Sequence, residues 1–195
     1  AFMLNSPYNG GTHLPDVTVV TPVFVAGKPA YWLGSRGHHA DIGGRTPGSA
    51  PPDSQHIEEE GVLIDNVQLV RAGTLCESAA IDVLSSGRYP CRNILQNMAD
   101  LKAQIAANET GRRELLRMVD SYGAAAVTAY KRHVQDNAKQ SVSAMIADLK
   151  YGSFVYPMDT GQQIKVCVNI DHLTCRACVD FTGTSEQHQC NDKAR

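Results

Sequence analysis

Two short stretches of the sequence place metal-ligating residue types beside tight turns. The first, NGGTHLPD, carries His13 and Asp16 just before a run of β-branched residues, and the second, SRGHHADIGG, carries His38, His39 and Asp41. Two imidazoles and one carboxylate form a ligand set that suits zinc, manganese or ferrous iron and leaves coordination positions open. Open positions are typical of catalytic rather than structural metal sites.

The segment between these stretches predicts a β-hairpin that would bring them together. Residues 17–25 (VTVVTPVFV) are rich in β-branched side chains, AGKP is a turn, and residues 30–35 include Tyr31, Trp32 and Leu33. In an antiparallel pair, the start of the first strand and the end of the second are neighbours. The two stretches are therefore predicted to form one site at the open end of the hairpin.

We predict that His13, Asp16 and His38 hold one divalent ion, with their ligand atoms about 2.0–2.2 Å from a common centre. His39 and Asp41, which we assign as catalytic, are then either alternative ligands or hydrogen-bonding partners of the ligands. A ligating histidine usually donates its second N–H to an oxygen. The alternative interpretation is that each histidine is a surface hydrogen-bonding group with no metal.

Two neighbouring features have both a catalytic and a structural interpretation. Glu60, in the acidic run at residues 58–60, is a candidate general base, although solvated charge runs are more common. The glycine pairs at 10–11 and 43–44 could present N–H groups to an anionic transition state. Tight turns are the more common use of such pairs.

Composition and motif content exclude several other classes of function. The 195 residues are 43% hydrophobic and 19% charged, as in ordinary globular proteins, and no apolar run predicts a membrane span. The net charge is −2 and the 18 basic residues are dispersed, so nucleic acid is not an expected partner. No P-loop, G-x-G-x-x-G or G-x-S-x-G motif is present, which argues against ATP binding by those means and against a serine nucleophile.

The six cysteines are predicted to be free thiols, because a chain of this size does not need disulfide bonds to stabilise its core. Residues 1–4 lack the pattern of a secretory signal, so we predict a cytoplasmic location. One CxxC, Cys175 and Cys178, lies in a strand pattern where alternate side chains point to opposite faces. A zinc ribbon with His188 and Cys190, or a redox site, is therefore not favoured.

The predicted fold class is α+β. Three parts of one partial domain are expected: a hairpin with metal-site loops (1–93), a helical block (94–150) and antiparallel strands (151–195). Within the first part, residues 56–70 (HIEEEGVLIDNVQLV) are predicted to form a short strand pair. In the last part, hydrophobic residues alternate with polar ones from Ile164 to Val168, which predicts an antiparallel meander.

The helical block is predicted from residues that recur with the spacing of one helix face. Gly111 and Gly123 are expected to mark a break and a bend. The face consists of Leu115, Val119, Tyr122, Ala126 and Tyr130.

Six blocks of the sequence resemble the B component of hydantoinase and 5-oxoprolinase enzymes. They occur in the family's order over nearly the whole chain, which is more specific than any single motif. The resemblance implies a piece of a larger hydantoinase B-type domain, because B components of the family are several hundred residues long and this chain covers only part of that length. The blocks are NSPYNGGTHLPDVTVVTPVF, HHADIGGRTPGSAPP, IEEEGVLI, RYPCRN, DLKAQIAAN with Gly111 following, and VDFTGTS.

The resemblance also implies a division of labour between subunits. A separate ATP-binding A-type subunit phosphorylates an amide or ketone oxygen, and the B component then hydrolyses a small cyclic amide. In the related ketone carboxylases it instead joins an activated enol to carbon dioxide, and a divalent metal is held there by a motif that matches His13, Asp16 and His38. ATP is thus expected to be used by the partner and not bound by this chain.

The expected partners are the A-type subunit and the remaining part of the B component, with no nucleic acid and no membrane. Three functions stay open from the sequence: a hydrolase of cyclic amides, a subunit of an ATP-dependent ketone carboxylase, and a non-catalytic scaffold for the ATPase.

Overall fold

The computed structural model describes residues 1–49 and 51–187, and its mixture of helices and antiparallel sheets confirms the α+β class. The described residues separate into two compact units, 1–117 and 118–187. The strands are β1 (Phe2–Leu4), β2 (Asp16–Val25), β3 (Lys28–His38), β4 (Val67–Gln68), β5 (Val70–Arg71), β6 (Thr74–Leu75), β7 (Gly152–Pro157), β8 (Gln163–Asp171) and β9 (Arg176–Asp180). The helices are α1 (Glu77–Leu84), α2 (Ile94–Tyr122), α3 (Ala124–Asp148) and a 3₁₀ turn at Ile57–Glu59.

The predicted hairpin is confirmed as strands β2 and β3. Its turn has only two central residues, Ala26 and Gly27, both with positive φ, as hairpin turns that match the right-handed strand twist require. Lys28 and Pro29, predicted as part of the turn, already belong to β3. The ladder pairs Asp16 with His38 at the open end, so the register itself brings the two loops together.

The hairpin forms two strands of an antiparallel sheet in the order β3-β2-β1-β4. Alternate residues of β2, among them Val17 and Val19, are fully buried. They form one hydrophobic core with Leu84 of α1 and with Met98 and Leu101 of α2. Successive strand side chains point to opposite sides, so the opposite face of the hairpin carries Asp16 and His38 at its open end, together with the exposed Trp32.

The predicted strand pair at residues 56–70 is wrong for most of its length. Residues 57–59 form a 3₁₀ turn, because the Glu59 carboxylate accepts the backbone N–H groups of Gln55 (2.7 Å) and His56 (3.3 Å). Local side-chain acceptance of backbone N–H groups competes with strand pairing. Only the last residues enter strands, as β4 and β5.

Asn5 explains why residues 62–64, within the predicted strand pair, do not pair as a strand. Its side chain is fully buried and donates to the carbonyls of Leu14 and Val62, both at 2.9 Å. It also accepts the N–H of Ile64 at 2.7 Å. A single amide therefore satisfies the backbone of two loops that would otherwise bury unpaired polar groups.

The helical block is confirmed, but two details of its prediction are wrong. Gly111 does not break α2; a Cβ there would lie 3.4 Å from Leu33 Cδ1, so this glycine lets the helix approach β3 closely. Gly123, with φ of 82°, does separate α2 from α3. The predicted apolar face is not continuous, because Val119 is buried whereas Tyr122 at the end of α2 and Tyr130 in α3 are exposed.

The second unit contains α3 and the predicted meander, which is confirmed as the antiparallel sheet β7-β8-β9. Large hydrophobic side chains are exposed on both faces of β7, with Phe154 and Tyr156 on one and Val155 on the other. No described helix combines the length and hydrophobicity needed to cross a membrane.

Replacing Asn5 with leucine should lower the free energy of unfolding by about 3 kcal/mol or more. The change leaves the buried groups of Leu14, Val62 and Ile64 without partners, each at a cost of about 1–3 kcal/mol. Urea unfolding measures the effect. The matched control is Asn9→Leu, because the Asn9 amide donates only to exposed Asp65 and its loss should cost at most about 0.5 kcal/mol. Equal effects of the two changes would contradict the role of Asn5.

Candidate metal centre

The open end of the hairpin holds His13, Asp16 and His38 against one another. Asp16 Oδ1 lies 2.8 Å from His38 Nδ1, directly across the ladder. A turn in which the Asp16 N–H donates to the His13 carbonyl (3.0 Å) brings the other histidine back, so that His13 Nδ1 lies 3.3 Å from Asp16 Oδ2. Each oxygen of the carboxylate thus faces one imidazole.

These three residues fit a divalent ion by donor type and by geometry. One ligand atom from each lies within 4.8 Å of the other two. Ligand atoms 2.0–2.2 Å from one ion lie about 3–3.5 Å from one another. Small side-chain rotations can bring the three observed atoms from their present separation to that spacing. The His13 and His38 side chains are 48% and 62% exposed, so further coordination positions would open to solvent. In the described part of the chain, no other group of three His, Cys, Asp or Glu residues converges in this way.

The charge state of Asp16 suits a metal ligand. Partial burial by itself raises the pKa of this carboxyl, but the hydrogen bond with His38, the electrostatic interaction with His13 and the hydrogen bond from the Thr12 hydroxyl together outweigh it. The net pKa of Asp16 lies below its ordinary value. The carboxylate is therefore ionised at neutral pH, as coordination requires.

Arg36 lies beside the three residues on the same face of the hairpin. It is paired with Thr18 in the ladder and donates to its hydroxyl at 3.0 Å, and it donates to the Thr12 hydroxyl at 3.4 Å. Thr12 in turn donates to Asp16 at 3.3 Å. The sequence reasoning missed Arg36, although the two-residue period of the strand places it on the face of His38.

His39 does not join the group of three. It is 1% exposed, and both its ring nitrogens are engaged by side chains of α2. Nε2 lies 3.2 Å from Gln104 Oε1, and Nδ1 lies 3.0 Å from Asn97 Nδ2. A neutral ring with the proton on Nε2 satisfies both contacts, because it donates to the carbonyl oxygen of one amide and accepts from the NH₂ of the other.

Asp41 and Glu60 also lie outside the group of three. Asp41 accepts from the Arg92 backbone N–H at 2.7 Å and from the Arg92 guanidinium at 2.5 Å, which ties its loop to the start of α2. Glu60 accepts from the Ser54 hydroxyl at 3.2 Å. These are structural contacts, and a catalytic role for His39, Asp41 or Glu60 stays a prediction.

Gly11 and Gly44, two of the four glycines next to the site, have a structural role in the backbone. The Gly11 N–H donates to the Ser6 carbonyl (2.8 Å) and the Gly44 N–H to the Tyr89 carbonyl (2.9 Å), so neither is available to an anionic transition state. A Cβ at Gly11 would lie 2.2 Å from the Asn5 carbonyl oxygen. The tight-turn interpretation therefore applies to these two positions.

Comparison with known proteins decides the family, because the sequence model described as hydantoinase B/oxoprolinase matches residues 1–194. The chain belongs to the hydantoinase B/oxoprolinase family. It is 39% identical to 5-oxoprolinase of Dictyostelium discoideum over 97% of its own length, and it spans 15% of the length of that relative.

Two solved structures share the fold of this family member. The ATP-dependent caprolactamase from Pseudomonas jessenii superposes with a TM-score of 0.74 at 28% identity, covering 91% of this chain and 31% of the caprolactamase chain. A nucleotide-free acetone carboxylase superposes with a TM-score of 0.82 at 18% identity, covering 97% of this chain and 27% of the carboxylase chain. The second likeness concerns the fold alone.

The described cysteines of this family member are free thiols, as predicted. Cys178 lies in β9 and Cys175 in the turn before it, whereas His188 and Cys190 lie outside the described residues. Cys91 is buried in the core of the first unit. Burial, and next the negative charge of Asp41, raise the pKa of the Cys91 thiol to about 12.

Alkylation of the native protein at pH 8 should modify Cys178 and spare Cys91. With a pKa near 12, only about one Cys91 side chain in ten thousand is a thiolate at this pH, and the thiolate is the reactive form. Peptide mapping by mass spectrometry after a short iodoacetamide pulse measures both sites in one sample. In urea the two should react at similar rates, and rapid native labelling of Cys91 would contradict its burial.

Proposed function

We propose that the chain forms the metal-containing part of an ATP-dependent hydrolase of small cyclic amides, of the hydantoinase or 5-oxoprolinase type. The observation that carries the proposal is the convergence of His13, Asp16 and His38 at an exposed hairpin end. The chain's 39% identity to a 5-oxoprolinase and its structural likeness to a caprolactamase support a cyclic amide as the substrate class.

In this proposal the three residues hold a divalent ion of zinc, manganese or iron, which when bound supplies Lewis-acid polarisation of a carbonyl or amide group. Asp16 contributes negative charge and orients both imidazoles, since each of its oxygens contacts one ring nitrogen. The exposed rims of His13 and His38 leave room for a substrate to approach from solvent.

The ATP-dependent step belongs, in this proposal, to a separate ATP-binding A-type subunit. The chain has no P-loop or G-x-G-x-x-G motif. The solved caprolactamase is described as ATP-dependent, and the chain covers 31% of the matched caprolactamase chain. The exposed hydrophobic side chains of the second unit support further protein contacts, with the A-type subunit or the remaining part of the B component, because large exposed apolar surfaces mark interaction sites.

A ketone carboxylase subunit is the second candidate, because the family resemblance carried by His13, Asp16 and His38 extends to ketone carboxylases. The TM-score of 0.82 to an acetone carboxylase supports a shared fold alone. The purified complex, supplied with ATP, separates the candidates by product. Ring-opened acid from 5-oxoproline or hydantoin supports the hydrolase, and a carboxylated product from a ketone with bicarbonate supports the carboxylase. If neither product forms and the complex binds less than about a tenth of an equivalent of divalent ion, the result supports the non-catalytic scaffold function.

Alanine at His13, Asp16 or His38 should each remove most of the affinity for Zn²⁺ in the full-length protein. A site reduced from three protein ligands to two loses both donor atoms and geometry. Isothermal titration with Zn²⁺ and Mn²⁺ measures the affinity, with unfolding midpoints as a check on folding. His133→Ala is the matched control, because His133 is an exposed histidine on α3, and it should leave the affinity unchanged. His39→Ala should weaken binding by about 10–100-fold, less than loss of a ligand.

A further inference from the structure

The side chain of Gln104, on α2, connects the two strands of the hairpin just behind the metal centre. Its Nε2 donates to the Val17 carbonyl at 2.9 Å and to the Ser35 carbonyl at 3.2 Å. Its Oε1 faces His39 Nε2 at 3.2 Å. Val17 directly follows the candidate ligand Asp16, and His39 directly follows His38, so these contacts reach the residues beside a ligand on each strand.

The hairpin is shaped to accept this amide. Gln104 is buried, and its backbone carbonyl also accepts the Ser35 hydroxyl at 3.3 Å. Gly37, which pairs with Val17 in the ladder, has no side chain to block it. A Cβ at Gly37 would lie 3.2 Å from Gln104 Cδ, closer than ordinary van der Waals contact.

We propose that Gln104 is a positioning residue for the metal centre, which keeps Asp16 and His38 opposite each other at the open end of the hairpin. The inference rests on the proposed metal function. Strand ends fray, because backbone pairing stops there on both sides. A buried side chain that bonds both strands resists this fraying, so the ligands are already gathered when an ion arrives and less conformational entropy is lost on binding.

Asn108 provides a matched control on the same helix. It too is a buried amide that bonds β2, donating to the Val19 carbonyl at 2.9 Å and the Thr21 hydroxyl at 3.1 Å. Its contacts lie three and five residues beyond Asp16 along the strand. If both amides have a purely structural role, the loss of either one should change metal affinity equally. If Gln104 is a positioning residue, only its loss should weaken metal binding.

The test compares Gln104→Met with Asn108→Leu in the full-length protein. Both should lower the unfolding midpoint, but Gln104→Met should weaken Zn²⁺ binding by about 10–100-fold and Asn108→Leu by less than about threefold. Competition with a chromophoric chelator, well below both unfolding midpoints, measures the affinity. If the wild-type protein binds no Zn²⁺, the proposed function fails; if it binds and the two variants lose affinity equally, the role of Gln104 is wrong.

A second pair of variants tests the same role when Gln104→Met does not fold. Gly37→Ala keeps every hydrogen-bonding group and only displaces the Gln104 amide, so it should weaken Zn²⁺ binding by at least about threefold. Gly34→Ala, on the same strand, adds a methyl group that meets nothing within 4 Å and should leave the affinity unchanged. Unchanged affinity in both would overturn the inference.

Discussion

The antiparallel register of β2 and β3 is the constraint on which the candidate site depends. It pairs Asp16 with His38, and the turn before β2 then returns His13 to the same carboxylate. A slip of one residue would move every side chain of one strand to the other face. Asp16 would then point into the core beside α2, while Val17 and Val19 would leave it. Burial of the valines therefore fixes the position of the ligands.

Helix α2 reinforces that register with polar contacts, in addition to the apolar contacts of Met98 and Leu101. Asn97, Gln104 and Asn108 are buried amides on one side of the helix, and they bond to His39 or to carbonyls of β2 and β3. Burying an amide group is costly unless it forms hydrogen bonds, and its partners must lie in defined directions. Hydrophobic contacts alone would allow the helix to slide along the sheet, whereas these hydrogen bonds specify one position.

The fold that contains this hairpin occurs in proteins that carry out different reactions. A solved ATP-dependent caprolactamase and an acetone carboxylase both contain the fold of this chain, and the chain spans 15% of a 5-oxoprolinase relative. A fold shared between such different reactions carries little information about substrate. The candidate ion-binding group lies at the exposed end of the hairpin with Arg36 beside it, and the fold alone does not decide which reaction it would serve.

Much of this protein follows from the sequence by itself. The β-branched run before a Gly-containing turn determined the hairpin, periodicity determined the long helices and the meander, and the hairpin ends located His13, Asp16 and His38 together. These features depend on local preference and on the geometry of adjacent strands. The tertiary structure alone decided that His39 is buried between Asn97 and Gln104, that Asp41 holds Arg92, and that Asn5 replaces a strand pair at residues 62–64. These contacts join side chains far apart in sequence, so their partners are set by how the elements pack, and no local pattern encodes that packing.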